Sequence, residues 1–249
     1  MQKDEIFKVG ANNPILVATP DTGLVSIIAA AHLIQVLEAK LVGYIDAEWV
    51  PPISIISNGD PMLPIRIYKT RSLDILLSET PLAPTHWRDF ASLVYKISTD
   101  LSSSMIIGAI GIPNIKRMDI TNISDLRIFY VGKYLDAVEE NVRAVYKEGE
   151  KFTGTLVGPY SAIASILIRH NVPFLFILVD SYPEYPDPEA AARFIEELNK
   201  FLNMNVDTKS LLDKGAEIRL MARQLALQTK RQQLVSGHKT GSPPVGMYV

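Results

Sequence analysis

Short runs of apolar residues alternate along this chain with longer stretches in which apolar positions recur every third or fourth residue. That alternation is the signature of an α/β domain with a partly parallel sheet. Ile15-Leu16-Val17-Ala18 reads as a buried strand. Thr22 and Gly23 then open a helix to about Lys40, with Val25, Ile28, Ala29, Leu33, Val36 and Leu37 at helical spacing. Four further strands are expected over residues 41–45, 54–57, 65–68 and 74–77. Pro51-Pro52 and Asn58-Gly59-Asp60-Pro61 supply turn chemistry between them. A helix is predicted from Pro84 or Thr85 to about Asp100, burying Trp87, Phe90, Leu93, Val94 and Ile97.

Met105 to Ile112 is apolar on both faces, which places it near the centre of the sheet. Ile128 to Val131 is a further strand, and Tyr134 to about Glu148 a helix with Glu139, Glu140 and Arg143 on its wet side. An apolar helix covers Tyr160 to His170, and Phe174 to Val179 is a second fully buried strand. Asp187-Pro188-Glu189 starts a helix that continues to about Leu202.

The pattern then changes. From Thr208 to about Val235 one long helical pattern carries Leu211, Ile218, Met221 and Leu225 on a single stripe, with a broad polar face. A helix of that kind packs on a domain surface or against a sister subunit, which makes those four residues the candidate oligomer interface. Residues 236–249 contain several breakers and little to bury, so they read as a tether. The organisation expected is a core domain over 1–206, a helical segment over 207–235 and a flexible tail over 236–249.

Hydrophobic residues make up 47% of the 249 positions, enough for a sizeable core. The net charge of −2 gives no reason to expect a nucleic-acid or acidic-membrane partner. There is no cysteine, so disulfides, thiolate zinc sites and cysteine nucleophiles are excluded together. The opening Met-Gln-Lys-Asp-Glu lacks the features of a secretory signal, and the apolar run Leu24 to Leu37 is interrupted by Ser26, His32 and Gln35. A cytoplasmic protein is expected.

Motifs for chemistry are missing. No phosphate loop of the Gly-x-x-x-x-Gly-Lys-Ser/Thr type is present, and Gly108 and Gly111 have the wrong spacing for a dinucleotide turn. His32, His86, His170 and His238 are isolated in sequence, without metal-ligand spacing. Ser161, in Gly158-Pro159-Tyr160-Ser161, sits where a strand leads into a helix but outside any nucleophile-elbow motif. Asp180, Glu184 and Asp187 fall in or beside a proline-rich loop, with Asp187 reading as a helix cap. The expectation is a non-enzyme with no metal and no cofactor.

Three stretches together resemble the proteasome assembly chaperones and their archaeal homologues. They are Thr19-Pro20-Asp21-Thr22-Gly23-Leu24-Val25-Ser26 leading into a helix, Val157-Gly158-Pro159 followed by Val172-Pro173-Phe174-Leu175-Phe176-Ile177-Leu178, and Pro186-Asp187-Pro188-Glu189-Ala190-Ala191 with Val206-Asp207 beyond it. The resemblance covers about residues 10 to 235. It implies a three-layer, nucleoside-phosphorylase-like α/β fold with a mostly parallel sheet flanked by helices, a homo-oligomer (tetramer or pentamer) and an ATP-independent chaperone without a nucleotide cofactor.

The last three residues, Met247-Tyr248-Val249, resemble the hydrophobic-Tyr-X tails that dock between proteasome α-subunits. There a terminal carboxylate pairs with a lysine and the tyrosine ring fills an apolar slot. Two other readings stand beside this one. The chain could be an oligomeric scaffold whose tail binds a related family member, or an ATP-grasp-like ligase using the crevice at the strand ends near Ser161.

Overall fold

The computed structural model describes residues 12–218. In chain order the elements are β1 (Ile15–Ala18), α1 (Val25–Val36), β2 (Lys40–Ile45), β3 (Ile55–Ser57), β4 (Asp60–Met62), β5 (Ile65–Lys69) and β6 (Asp74–Ser78). There follow α2 (Trp87–Asp100), β7 (Ile106–Pro113), β8 (Ile128–Lys133), α3 (Glu140–Glu148), α4 (Pro159–Arg169), β9 (Phe174–Ser181) and α5 (Pro188–Leu202). A last helix, α6, begins at 209 and continues to the end of the described residues.

Seven strands form one sheet in the order β2-β5-β6-β1-β7-β9-β8. Strands β6, β1, β7 and β9 are mutually parallel, whereas β2 with β5, β5 with β6 and β8 with β9 are antiparallel. The sheet is therefore mixed, which corrects the expectation of a mostly parallel one. The reason at one edge is loop length. Only four residues, 70–73, join β5 to β6, and a parallel connection needs a crossover of a dozen or more.

Alternate residues of the central strands feed two cores. Leu16, Ile107, Leu175 and Ile177 pack beneath α1 and α5, while Val17, Ile106, Phe174 and Phe176 pack beneath α2 and α4. The result is helices on both faces of the sheet, as the resemblance implies.

Several boundaries differ from the sequence reading. The helix α1 stops at Val36, and Glu38 at φ 50° turns the chain into β2. The helix expected from Tyr134 is broken, because Tyr134 is left-handed (φ 60°) and only a short 3-10 turn precedes α3. The strand expected over 54–57 does not join the main sheet but pairs with β4 as a separate hairpin. Asn58 and Gly59, with φ 50° and 89°, supply its two-residue turn. The strand β4 contains Pro61, which made it read as turn alone.

Candidate functional site: the C-terminal end of the sheet

In open α/β sheets ligands bind at the carboxyl ends of the parallel strands. In this chain the loops following β1, β7 and β9 meet there. A buried ion group ties two of them together. Asp187 caps α5, its Oδ1 accepting from the Ala190 N–H at 3.0 Å. Arg117 grips the same carboxylate as a fork, with Nε 2.7 Å from Oδ2 and Nη2 2.9 Å from Oδ1. Its Nη2 also reaches Glu189 Oε2 at 2.8 Å, and Nη1 donates to the Ile120 carbonyl at 3.1 Å. The guanidinium lies 4.5 Å from the centre of the Tyr182 ring. Side-chain exposure is 1% for Arg117, 0% for Asp187 and 4% for Glu189, so this is a fully buried pair with a second carboxylate added.

The loop after β1 closes over the remaining space. Asp21 Oδ2 accepts from the Gly111 N–H at 2.6 Å, and Oδ1 accepts from the Ser26 N–H at 3.1 Å and from Ser26 Oγ at 3.3 Å. Burial pushes the Asp21 carboxyl up to about 7, against the pull of these donors toward the charged form. Gly23 has φ 67°, and a Cβ on it would run into Ser181 Oγ. A Cβ on Gly111 would run into the Thr22 carbonyl. The loop thus rests directly on the strand ends, and glycine is required for the contact. Ser181 Oγ is buried without a hydrogen-bond partner among the described residues. Beside this knot, Tyr160 donates to the Val17 carbonyl at 3.0 Å, and burial raises its phenol above the usual value.

A second carboxylate, Asp180, is buried and accepts from Asn114 Nδ2 at 3.0 Å and from Arg127 Nε and Nη2 at 2.8 and 3.0 Å. The buried carboxylates near the strand ends, Asp21, Asp180, Asp187 and Glu189, are therefore each engaged by this chain's own donors. Among the described residues no group of three His, Cys, Asp or Glu side chains could hold a metal ion. The chemistry available is that of a structural clamp.

The rim of the clamp carries exposed apolar residues beside the exposed charges of Lys116 and Glu184. Leu24, left-handed at φ 52°, is 38% exposed, Ile115 is 91% exposed and Tyr185 is 37% exposed. Ile115 and Tyr185 line a shallow cavity of about 230 Å³ with Met118 and Pro183. A filled crevice whose rim mixes exposed apolar and charged side chains suits contact with another protein better than capture of a small polar substrate.

Other candidates fall elsewhere. Ser161 lies half-buried in the first turn of α4, on an open cleft of about 750 Å³ between α2 and α4 whose lining includes Arg88, Ser165 and Arg169. No residue of the loop after β1 lines that cleft, so the serine and the β1 loop do not form a common site. His32 Nε2 lies 2.7 Å from the Asp207 carbonyl, His86 Nδ1 is 3.0 Å from Asp89, and His170 stacks on Tyr95 with ring centres 4.2 Å apart. Glu184 is exposed in the loop after β9.

Leu211 is buried in the core beneath α1 and α5, with 4% exposure, which removes it from the surface available to a second copy. Ile218 is half-buried at the end of the described residues. Met221, Leu225, His238, Met247, Tyr248 and Val249 lie outside them. Sequence reasoning missed Arg117 and Arg127 as partners of the loop carboxylates, and Glu189 as the second carboxylate on Arg117. Of these, only Glu189 had a local signal, as the residue two beyond a capping aspartate.

The model of the PAC2 family matches residues 15–226. The chain belongs to the PAC2 family. Residues 21–189 of the knot lie inside the matched region. The crystal structure of Pyrococcus furiosus PbaA, an archaeal homologue of proteasome-assembly chaperone, is 26% identical, with 91% of this chain and 92% of that one covered and a TM-score of 0.72. PbaB of the same organism, an archaeal proteasome activator, is 19% identical over 86% of this chain and 93% of its own, with a TM-score of 0.71, and shows the common fold alone. A Methanocaldococcus jannaschii protein is 27% identical over 228 residues, 90% of each chain. The PAC2 assignment agrees with the resemblance carried by the three sequence stretches.

Proposed function

We propose that this PAC2 protein is an ATP-independent binding protein that assists proteasome assembly as a homo-oligomer, a tetramer or pentamer. It docks on α-subunits through Met247-Tyr248-Val249. The observation that carries the reading is the likeness to PbaA across nine-tenths of both chains. The clamp at the strand ends supports a binding rather than a catalytic role, because the place where an α/β enzyme keeps its reactive groups is filled by ion pairs. Among the described residues no helix is long and apolar enough to cross a membrane.

A single tripeptide buries little surface and binds weakly. Several tails on one oligomer raise the effective concentration of the later contacts, which makes docking useful. The test is sedimentation of the full chain with purified proteasome particles or isolated α-subunits. Co-migration is expected, and Tyr248→Ala or removal of residues 247–249 should abolish it while the oligomer mass stays the same. Equal binding by the shortened chain would refute the docking role. Binding of the tail to a related PAC2 protein and not to α-subunits would establish the scaffold reading instead.

A further inference from the structure

Two stretches of this chain carry opposite chemistry. Residues 41–65 contain Asp46, Glu48 and Asp60 and no Lys or Arg. Residues 219–249 contain Arg219, Arg223, Lys230, Arg231 and Lys239 and no Asp or Glu. The whole chain has 25 basic and 27 acidic residues; setting aside those five leaves 20 against 27, so the first 218 residues carry −7 and the last 31 carry +5. A separation of this size is a statement about association rather than about fold.

The acidic stretch forms a lobe at the sheet's edge. It comprises residues 41–45 of the edge strand β2, whose first residue is the exposed Lys40, the loop after it and the β3–β4 hairpin, which pairs only with itself among the described strands. Four of the ten exposed large hydrophobic side chains among residues 12–218 lie within it: Leu41, Tyr44, Ile53 and Ile56, the last 63% exposed. A two-stranded hairpin is marginal in water without a further packing surface. Asp46, Glu48 and Asp60 are all exposed, and none forms an ion pair among the described residues. The base of the lobe is anchored, with Trp49 stacked on His86 at 6.5 Å and edge-on to Phe90 at 6.3 Å. A register irregularity between Leu41 and Gly43 interrupts the exposed edge, which discourages two copies from annealing strand to strand. What the lobe offers is an acidic, apolar side-chain surface.

We infer that the lobe over residues 41–65 of one copy receives the basic, apolar stretch 219–235 of a second copy. This rests on the homo-oligomer in the proposed function and specifies the surfaces that build it. The stretch supplies Leu220, Met221, Leu225 and Leu234 for the apolar positions, and Arg219, Arg223, Lys230 and Arg231 for the carboxylates. Exchange between copies is what the homo-oligomer requires, and the charge complementarity of the two stretches supplies the pair of surfaces. The helix α6 leaves from the α1 and α5 face, where Leu211 is buried. The lobe's Val42, Ile45, Trp49 and Val50 pack on the α2 and α4 face, whereas its exposed Leu41 and Tyr44, paired with Tyr68 and Arg66, stand on the α1 and α5 face.

The test measures the mass of the full-length protein by light scattering at micromolar concentration over a range of salt. The wild type is expected to be an oligomer that dissociates as sodium chloride rises, because exposed charge pairs are screened. The variant Asp46→Lys/Glu48→Lys/Asp60→Lys should raise the apparent dissociation constant at least ten-fold. Arg219→Glu/Arg223→Glu/Lys230→Glu/Arg231→Glu should do the same, and mixing the two variants should restore association, read as a mass well above that of either variant alone. Rescue by mixing distinguishes charge pairing from a folding defect, and Ile56→Lys alone provides a second disruption of the same surface. A lobe variant that keeps the wild-type mass, or a mixture that does not reassemble, overturns the inference and leaves the oligomer standing. A monomeric wild type overturns both.

Discussion

The clamp at the strand ends and the lobe at the sheet edge handle charge in opposite ways. In the clamp, Arg117, Asp187 and Glu189 are buried and each meets a charged partner within 2.9 Å. In the lobe, Asp46, Glu48 and Asp60 face solvent beside exposed Tyr44, Ile53 and Ile56. Removing a partner from the first leaves an uncompensated buried charge, a large effect on stability. Removing a charge from the second changes little inside the monomer, because water already solvates it. Where a fold directs its polar groups inward it closes a crevice, and where it leaves them outward with apolar neighbours it offers a contact. The same chain does the first where an α/β enzyme would keep a site and the second where a sheet would otherwise end.

The largest expected effect is in the clamp. Arg117→Met leaves Asp187 and Glu189 buried side by side and should cost about 3–5 kcal/mol, read as a lowered urea midpoint with an unchanged slope. Replacing all three by apolar residues of matching volume should recover part of that loss, since no charge is then left unpaired but the Asp187 cap on the Ala190 N–H is gone. A cost below about 1 kcal/mol for the single variant would show that water reaches these carboxylates and that the crevice is open. The next effect is steric. Gly23→Ala combines a left-handed φ of 67° with a collision against Ser181 Oγ and should cost about 2–4 kcal/mol, judged from overpacking and backbone strain together. A thermal melt within a degree of wild type would mean that the β1 loop lifts readily off the strand ends.

How much of this was legible in the sequence follows from the range of the interactions. The buried strands β7 and β9 and the caps at Asp187 and Gly158-Pro159 are local signals, because each depends on residues within a few positions. The mixed sheet was not legible. Strands β5 and β6 look like any other apolar run, and only the shortness of the link between them betrays an antiparallel pair. Arg117 lies 70 positions from Asp187, in a stretch with no periodicity, so nothing near it in sequence announces a buried cation. Leu211 shows the reverse problem. Its helical stripe reads equally well as a subunit seam or as the last piece of the chain's own core, and contact with the α1 and α5 layer decides for the core.

A pH-dependent effect separates the clamp's ion group from the carboxyl beside it. Asp21 titrates at about 7 in the folded chain and near 3.8 when unfolded. Between those values the folded form holds a proton that the unfolded chain has released. Stability from this group therefore falls as pH rises from about 4 to 7 and is level outside that window. Asp21→Asn is neutral at every pH, so its melting temperature relative to wild type should climb across the window. Glu197, held below its usual value mainly by Lys200 and Tyr130 acting against burial, contributes stability lost on acidification in both proteins and cancels in the difference. A difference between the two proteins that is flat from pH 4.5 to 7.5 would show that Asp21 stays ionised and that its donors outweigh burial.

The smallest effect belongs to the lobe and gives the comparison its sharpest form. Ile56 is 63% exposed on a hairpin that pairs only with itself among the described strands. Ile56→Thr keeps a β-branched side chain, so strand preference is retained while apolar surface is lost. Because that surface is not buried within the chain, unfolding of the monomer should change by no more than about 0.5 kcal/mol. The measurement is chemical denaturation at high dilution and high salt, where self-association is suppressed. A loss above about 1.5 kcal/mol under those conditions would place Ile56 in this chain's own packing. The lobe would then be a second core element, and its apolar surface would no longer count as contact area for a partner.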